Sequence, residues 1–278
     1  MSETRQDFSV VLVGCGNMGA AIAAGMRARI GKVEIVAVDP NVERARELLQ
    51  DEEITAVSEF GALNGRQFNI CILATKPQHV GQAMAAAQFY LSEDAVVVSI
   101  AAGTPISLLQ ETAPNLRRFV RVMPNLPALA SSAMSVGFAS DGTLSDEDRA
   151  VVEAIFTAIG CFSWLVSEDE IDLATGVTGS GPGYVFAFVE HLQHAAEQMG
   201  FPPELSEQFA RQTVIGAARL LEQDRRSAHD LKVAVTSPGG TTAAGLQVLE
   251  SPGALPSLLI HTTTAAAKRA AELARIQQ

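Results

Sequence analysis

No apolar stretch in this sequence approaches transmembrane length, and the short polar start, Met1 to Asp7, lacks the features of a signal peptide. Aromatic residues are scarce. Trp164, Tyr90 and Tyr184 stand beside phenylalanine alone, and alanine fills the gap, as expected of many close-packed helices. Cysteine is scarcer still: Cys15, Cys71 and Cys161 are odd in number, widely spaced and set in apolar runs. That pattern excludes a disulfide frame or a zinc motif and predicts buried, reduced thiols. Positive charge is in deficit, with 20 Lys+Arg against 31 Asp+Glu and a formal charge of −11. Nucleic acid and anionic membrane are therefore poor partners, and the chain reads as a soluble cytoplasmic protein. An anionic ligand must then be held by local amides and dipoles, because no general basic field exists. His191, His194, His229 and His261 show no metal-ligand spacing with acidic partners, so no metal is expected.

At 278 residues the chain has room for one large or two moderate domains. From Phe8 to about Val166, short β-rich runs alternate with helical patterns. Val10–Val13, Val33–Val38, Ile70–Ala74, Ala95–Ile100, Phe119–Val122, Met134–Phe138 and Cys161–Val166 read as strands. Most are almost continuously apolar, as strands buried on both faces are. Met18–Ala28, Val42–Leu49 and Ser145–Ile159 read as helices, the last opened by Ser145 as cap. This alternation implies a parallel, doubly wound, Rossmann-type sheet over residues 1–166.

The first turn of that sheet carries Gly14-Cys15-Gly16-Asn17-Met18-Gly19 between a strand and a helix. Glycine at these positions supplies a tight turn, close approach of a pyrophosphate to backbone, and tight helix–sheet packing. Asp39 ends the second strand, where a carboxylate accepts hydrogen bonds from an adenosine ribose. A 2′-phosphate there would meet like charge, so Asp39 leans toward NADH, although Arg44 one turn on would welcome NADPH. A second reading has Asp39 capping a helix that begins at Pro40. Ala74-Thr75-Lys76-Pro77 and Ala101-Ala102-Gly103 follow two further strands on the same edge, beside the expected cofactor. Lys76 is otherwise a surface lysine, and Ala101 to Gly103 an ordinary tight turn. Asn125, after Met123-Pro124, is a cofactor contact or a turn residue.

After Val166 the β signal stops. Glu168–Gly176, Tyr184–Met199, Glu204–Gln223, a segment around Leu231, Thr242–Glu250 and Leu255–Ile276 read as helices of an all-α unit, 167–278. Its apolar faces, Val214–Leu221 especially, predict an intertwined helical homodimer. Within it, Thr236-Ser237-Pro238-Gly239-Gly240-Thr241-Thr242 is a corner that cannot continue a helix. If a helix begins after it, the amides of Gly240, Thr241 and Thr242 point outward to bind a carboxylate or phosphate. The alternative is a plain corner with Ser237 or Thr241 as N-cap.

In order and spacing, Gly14–Gly19, Ala74–Pro77, Ala101–Gly103, Val122–Asn125, Gly179–Tyr184 and Val235–Thr242 closely resemble pyrroline-5-carboxylate reductases over the whole chain. The resemblance implies an NAD(P)H-binding domain, a helical dimerisation domain, and dimers that sometimes assemble into rings. It implies reduction of (S)-1-pyrroline-5-carboxylate to L-proline. The substrate carboxylate would sit on Gly240, Thr241 and Thr242, near Ser237, with the Thr242 hydroxyl approaching the ring nitrogen as the catalytic group. Leu126, Thr178, Gly183 and Asp224-Arg225-Arg226 depart from the family pattern and bear on pocket shape. Two other readings remain: a related imine or short hydroxy-acid oxidoreductase, and a silent NAD(P)H-binding regulator. The preserved glycine-threonine corner speaks against the second.

Overall fold

The computed structural model describes residues 8–31, 33–140 and 142–276, without the Ile276 side chain; the polar start Met1 to Asp7 lies outside them. Eight strands form one sheet: β1 (Ser9–Val13), β2 (Glu34–Val38), β3 (Thr55–Val57), β4 (Phe68–Leu73), β5 (Leu91–Ser99), β6 (Arg118–Met123), β7 (Ala133–Ala139) and β8 (Gly160–Trp164). Their order is β3-β2-β1-β4-β5-β6-β7-β8. Every neighbouring pair is parallel except β6 and β7, which run antiparallel through the short Pro124–Ser132 connection.

Alternation along the strands divides the core between two faces. Val10, Leu12, Ile70 and Ile72 point to the layer holding Ile22 and Met26 of α1 (Asn17–Arg29), Ala45 and Leu49 of α2 (Val42–Leu49), and, further along the chain, Ile155 and Phe156. Val11, Val13, Cys71 and Leu73 point to the other, with Met84 of α3 (Val80–Ala87) and Leu109 of α4 (Ile106–Thr112). Ile155 and Phe156 belong to α5 (Asp146–Thr157), which opens on a capping box between Ser145 and Asp148. Both faces are covered, which is why the strands read as unbroken apolar runs.

The structure differs from the sequence reading at several points. β3 was not expected: Thr55-Ala56-Val57 is too short to carry a periodic signal. The antiparallel β7 corrects a uniformly parallel sheet. Cys161 is exposed on the edge strand β8, a correction to three buried thiols, whereas Cys15 and Cys71 are buried.

Two compact units result: Met1–Gly179 with Ala265–Gln278, and Ser180–Thr264. The first includes α6 (Asp169–Ala174), whose Ile171 is fully buried, and a π-helical turn, Thr175–Gly179. The second holds α7 (Gly181–Gln198), α8 (Pro203–Gln223), α9 (Ala228–Ala234), α10 (Thr241–Leu249) and the start of α11 (Leu255–Ile276). α7 begins before Tyr184 because Pro182 is tolerated in a first turn. Gly200, at φ +96°, ends the α7 segment in the left-handed conformation, and Phe201 packs edge-on against Phe209. Among the described residues of this unit only Ser206, Ala210 and Leu231 are buried, while Phe186, Val233, Val248 and Ile260 are exposed. A helical unit with so little interior of its own needs a partner surface.

Candidate active site

The loops after β1, β4, β5 and β6 leave the sheet at its carboxyl edge, and β1 lies between β2 and β4, where the strand order reverses. Ligands of open α/β sheets bind at that switch point. The three glycines of the first turn differ in their reasons. Gly14 has φ +90°, and a Cβ on it would stand 2.8 Å from the carbonyl oxygen of Ala74. A Cβ on Gly19 would stand 2.6 Å from the carbonyl oxygen of Gly14. Those two serve the protein's own packing. A Cβ on Gly16 would meet nothing within 4 Å, so this glycine faces open space.

Gly16 is also the N-cap of α1, with extended backbone, no side-chain cap and no acidic residue in the first turn. The first intrahelical bond runs from the amide of Ala20 to the carbonyl of Gly16. The amides of Asn17, Met18 and Gly19 precede it, beside the exposed Asn17 side chain and the half-buried Met18.

Asp39 does not cap a helix at Pro40. Its carboxylate accepts the Cys15 amide at 2.7 Å and the Asn41 amide at 2.8 Å. Asn41 itself caps α2 by accepting the Arg44 amide at 3.2 Å. The end of β2 is thereby laced to the glycine turn. Burial, and secondly the Asp39 charge, push the Cys15 thiol up to about 11, so it stays protonated near neutrality.

Ala74 donates its amide to Val13 at 2.8 Å, holding the two loops side by side. The hydroxyl of Thr75 is buried without a hydrogen-bond partner, an orphaned donor in the loop expected to line the cofactor. Lys76 is exposed on extended backbone, and Pro77 opens a short 3₁₀ turn after it. Ala101 is buried and Ala102 exposed. Gly103, at φ +71°, lies where a Cβ would stand 3.3 Å from the backbone nitrogen of Ala274, so the end of α11 packs on this turn. Asn125 is buried, and its amide bridges: Nδ2 donates to the Thr178 carbonyl at 2.9 Å, and Oδ1 accepts the Met134 amide at 2.9 Å.

Ser237, Gly240, Thr241 and Thr242 lie in the second unit. Gly239 takes φ +69°, and Gly240, with φ −80° and ψ 174°, is the N-cap of α10. Neither Ser237 nor Thr241 caps the helix, which has no side-chain cap. The Gly240 amide corrects the sequence reading, because it is consumed by the Ser237 carbonyl at 3.0 Å. The first bond of α10 runs from Ala244 to Gly240, so the open amides are those of Thr241, Thr242 and Ala243. Thr242 is half-buried; Ser237 and Thr241 are exposed. Before this corner, Asp224 is turned onto its neighbour Arg226, whose guanidinium at 2.6 Å holds the carboxyl below its usual range.

α1 and α10 thus begin alike: a glycine N-cap in extended conformation, no side-chain cap, no acidic first turn. α5 and α9 begin with the closed alternative, capping boxes from Ser145 with Asp148 and from Ser227 with Asp230. An uncapped N-terminus offers amides and the positive end of the helix dipole to an anion. Among the described residues no group of three His, Cys, Asp or Glu side chains is placed to hold a metal. The sequence reading passed over Arg121, Glu168 and Asp172, in which the buried guanidinium meets two partly exposed carboxylates. Its signal was present: an arginine inside the apolar run Phe119–Met123 needs an acidic partner.

Residues 168–273 match the family described as pyrroline-5-carboxylate reductase dimerisation, and residues 9–103 the family described as NADP oxidoreductase coenzyme F420-dependent. The pyrroline-5-carboxylate reductase of Arabidopsis thaliana is 36% identical, covering 97% of this chain and 97% of that relative. Among solved structures, a pyrroline-5-carboxylate reductase from Coxiella burnetii superposes with a TM-score of 0.87 at 32% identity, covering 96% of this chain and 99% of the other. The Plasmodium falciparum pyrroline carboxylate reductase with NADP bound gives 0.77 at 27% identity, covering 96% and 98%. Shared sequence over nearly the full length of both chains, with the same fold, places this chain in the pyrroline-5-carboxylate reductase family.

Proposed function

We propose that this chain is an NAD(P)H-dependent reductase that converts (S)-1-pyrroline-5-carboxylate to L-proline, the last step of proline biosynthesis. The observation that carries the reading is the open N-terminus of α10, where the amides of Thr241, Thr242 and Ala243 precede the first helical bond and no acid stands in the first turn. A small substrate carboxylate fits that arrangement.

The first unit's residues suit a dinucleotide. Gly16 and the amides of Asn17, Met18 and Gly19 would take its pyrophosphate at the α1 N-terminus, on the tight turn that Gly14 shapes while its own amide goes to the Val38 carbonyl. Asp39 would meet the adenosine ribose, and Ala74, Thr75, Lys76, Pro77, Ala101, Ala102, Gly103 and Asn125 would border the remainder. The open volume over Gly16 and the orphaned Thr75 hydroxyl support that assignment. When bound, NAD(P)H supplies the hydride that the imine carbon receives. The protein's own work is orientation and exclusion of water. The amides of Thr241, Thr242 and Ala243 fix the carboxylate, and the Thr242 hydroxyl donates toward the ring nitrogen, which must end the reaction with one more proton. Such a substrate needs little acid–base machinery, so positioning carries most of the acceleration.

The finer readings belong to this proposal. Asp39, negative and held by two amides, favours NADH over NADPH, while exposed Arg44 opposes that preference. Residues 1–166 serve the cofactor, and 167–278 serve the substrate and the homodimer, with dimers able to build larger rings. The protein works in the cytoplasm without nucleic acid or membrane; among the described residues, no helix is long and apolar enough to cross a membrane. The test is steady-state oxidation of NADH and NADPH with pyrroline-5-carboxylate, acyclic keto acids and larger cyclic imines. Turnover is expected with pyrroline-5-carboxylate, and Thr242→Ala should lose most of it while its cofactor Kd stays unchanged. Cofactor binding without turnover on any imine would overturn the reading, and unchanged turnover in Thr242→Ala would remove that hydroxyl from the mechanism.

A further inference from the structure

Arg121 sits in the middle of β6, its side chain 5% exposed, pointing to the face opposite Val120 and Val122. Its guanidinium forks between two acids on consecutive turns: Nη1 lies 3.4 Å from Glu168 Oε1, and Nη2 lies 2.9 Å from Asp172 Oδ1. The same Glu168 oxygen accepts the backbone amide of Ile106 at 2.9 Å. Ile106 opens α4, whose own N-cap, Pro105, has no side chain to offer. From the N-cap position of α6, this carboxylate therefore joins the start of α4 to β6, sharing the Arg121 charge with Asp172.

Both segments tied by Glu168 run to the carboxyl edge of the sheet. On one side, the loop Ala101–Pro105 links the end of β5 to α4. On the other, α6 passes into the π-helical turn Thr175–Gly179. Thr175 and Thr178 return their hydroxyls to the carbonyls of Ile171 and Ala174, which competes with regular helical bonding there. The carbonyl of Thr178, whose i+4 residue Pro182 has no N–H to offer, accepts the side-chain amide of Asn125 just after β6. π-Helical turns of this kind cluster at functional sites. A buried ion pair contributes little net stability compared with packed apolar groups, since desolvation offsets the attraction, but removing one partner is disruptive. An arginine fork inside an apolar strand is therefore better explained by the geometry it fixes than by stability.

We propose that Glu168 is a positioning residue for the reaction: by bridging the Ile106 amide and the Arg121 guanidinium, it holds the loop Ala101–Pro105 and the turn Thr175–Gly179 at one fixed spacing on the sheet edge. This rests on the reductase reading above, in which that edge borders the reacting end of the cofactor. Glu168 touches neither substrate nor cofactor; it acts through the two segments. The glycine turn that holds the pyrophosphate lies on β1 and is not part of the bridge, so cofactor affinity and turnover separate.

The full-length protein tests this with Glu168→Ala, Glu168→Gln and Arg121→Lys. Glu168→Ala should lower kcat at least tenfold and raise the KM for pyrroline-5-carboxylate, with the Kd for NADH or NADPH within twofold. Hydrogen exchange should show the amides of Gly103, Thr104 and Ile106 and those of 175–179 losing protection together. Glu168→Gln keeps an acceptor for Ile106 and should recover most of kcat. Arg121→Lys keeps the charge without the fork and should fall between them, and it carries the comparison if Glu168→Ala does not fold. A kcat within twofold of the parent in both Glu168→Ala and Arg121→Lys would overturn the proposal. So would loss of protection in one segment alone, or a parallel fall of cofactor affinity and melting temperature. The exchange coupling is read without turnover, so an inactive parent would refute the reductase reading and leave this bridge to stand or fall by its own measurement.

Discussion

Two glycines on α1 separate space kept for a ligand from space used by the fold. A Cβ on Gly16 would meet nothing within 4 Å, whereas one on Gly25 would stand 2.5 Å from Ile159 Cγ2 and 3.0 Å from the Ala158 carbonyl oxygen. Gly16→Ala exchanges an N-cap glycine, already at φ −78°, for alanine, a loss of about 0.5–1 kcal/mol. Gly25→Ala gains about 1 kcal/mol in helix propensity but forces α1 away from the Ala158–Ile159 segment after α5, at roughly 1–3 kcal/mol for overpacking. A 1 kcal/mol change moves the melting temperature of a chain this size by about 2–4 °C. Gly16→Ala should therefore melt within about 4 °C of the parent, yet weaken cofactor binding at least tenfold, about 1.4 kcal/mol, because its methyl enters the volume assigned to the pyrophosphate. Gly25→Ala should melt several degrees lower with an unchanged cofactor Kd. The assays are differential scanning fluorimetry at one protein concentration and cofactor titration by intrinsic or reduced-nicotinamide fluorescence. A Gly16→Ala protein that binds the dinucleotide as tightly as its parent would show that the open volume is not the pyrophosphate site.

Four further outcomes follow from the same geometry. Thr241→Asp places an acid in the first turn of α10, which should stabilise that helix by about 0.3–1 kcal/mol and raise the KM for pyrroline-5-carboxylate at least tenfold by repelling its carboxylate; an unchanged KM would refute the anion site. Ser135 carries a fully buried hydroxyl without a partner, so Ser135→Ala should raise stability by up to about 1 kcal/mol at unchanged activity, and a lower melting temperature would show that the hydroxyl is satisfied in solution. At pH 8 a disulfide reagent should titrate one thiol per native chain quickly, exposed Cys161, while Cys15 and Cys71 react only on unfolding. The Cys15 thiol ionises near 9.0 when unfolded and at about 11 when native, so its contribution to stability is complete below pH 9 and lost as pH rises toward 11; urea midpoints at pH 8 and 10 should fall in that order, and less so in Cys15→Ala.

The doubly wound sheet was legible because strands buried on both faces leave unbroken apolar runs, and the glycine turn because its spacing is set by local geometry. β3 escaped because three residues on an edge generate no pattern. The antiparallel β7 escaped because strand direction depends on the length of the preceding connection and on where it returns, not on the strand's composition. Asp39 was found as a residue but not in its bonds: besides the local Asn41 amide it accepts that of Cys15, a contact between two strand ends that sequence distance hides. The Gly240 amide was misread for a local reason, since a turn from Ser237 consumes it and shifts the open set one residue onward to Ala243. Arg121, Glu168 and Asp172 were invisible as a group because 47 and 51 residues separate the arginine from its partners, although a buried charge in the middle of β6 announced that a partner must exist.

An acidic chain that handles anions faces an electrostatic problem, and the helix starts suggest how it is met. With a net charge of −11, long-range attraction of a dinucleotide or a carboxylate is unfavourable, so binding must come from contact groups that feel little of the distant field. Backbone amides meet that need, because they carry no titratable charge and a helix aligns several of them. Their strength is lost when a side-chain acid occupies the same position, as Asp148 does at α5 and Asp230 at α9. Glycine as N-cap leaves the position empty, and extended backbone at φ −78° in Gly16 and −80° in Gly240 points the next amides outward. The acids of this chain close the starts of α4, α5 and α9 and leave those of α1 and α10 open. α3 and α7 also begin without a cap or a first-turn acid, so it is the extended glycine N-cap that sets α1 and α10 apart, and under the proposed function these two starts would receive the anions.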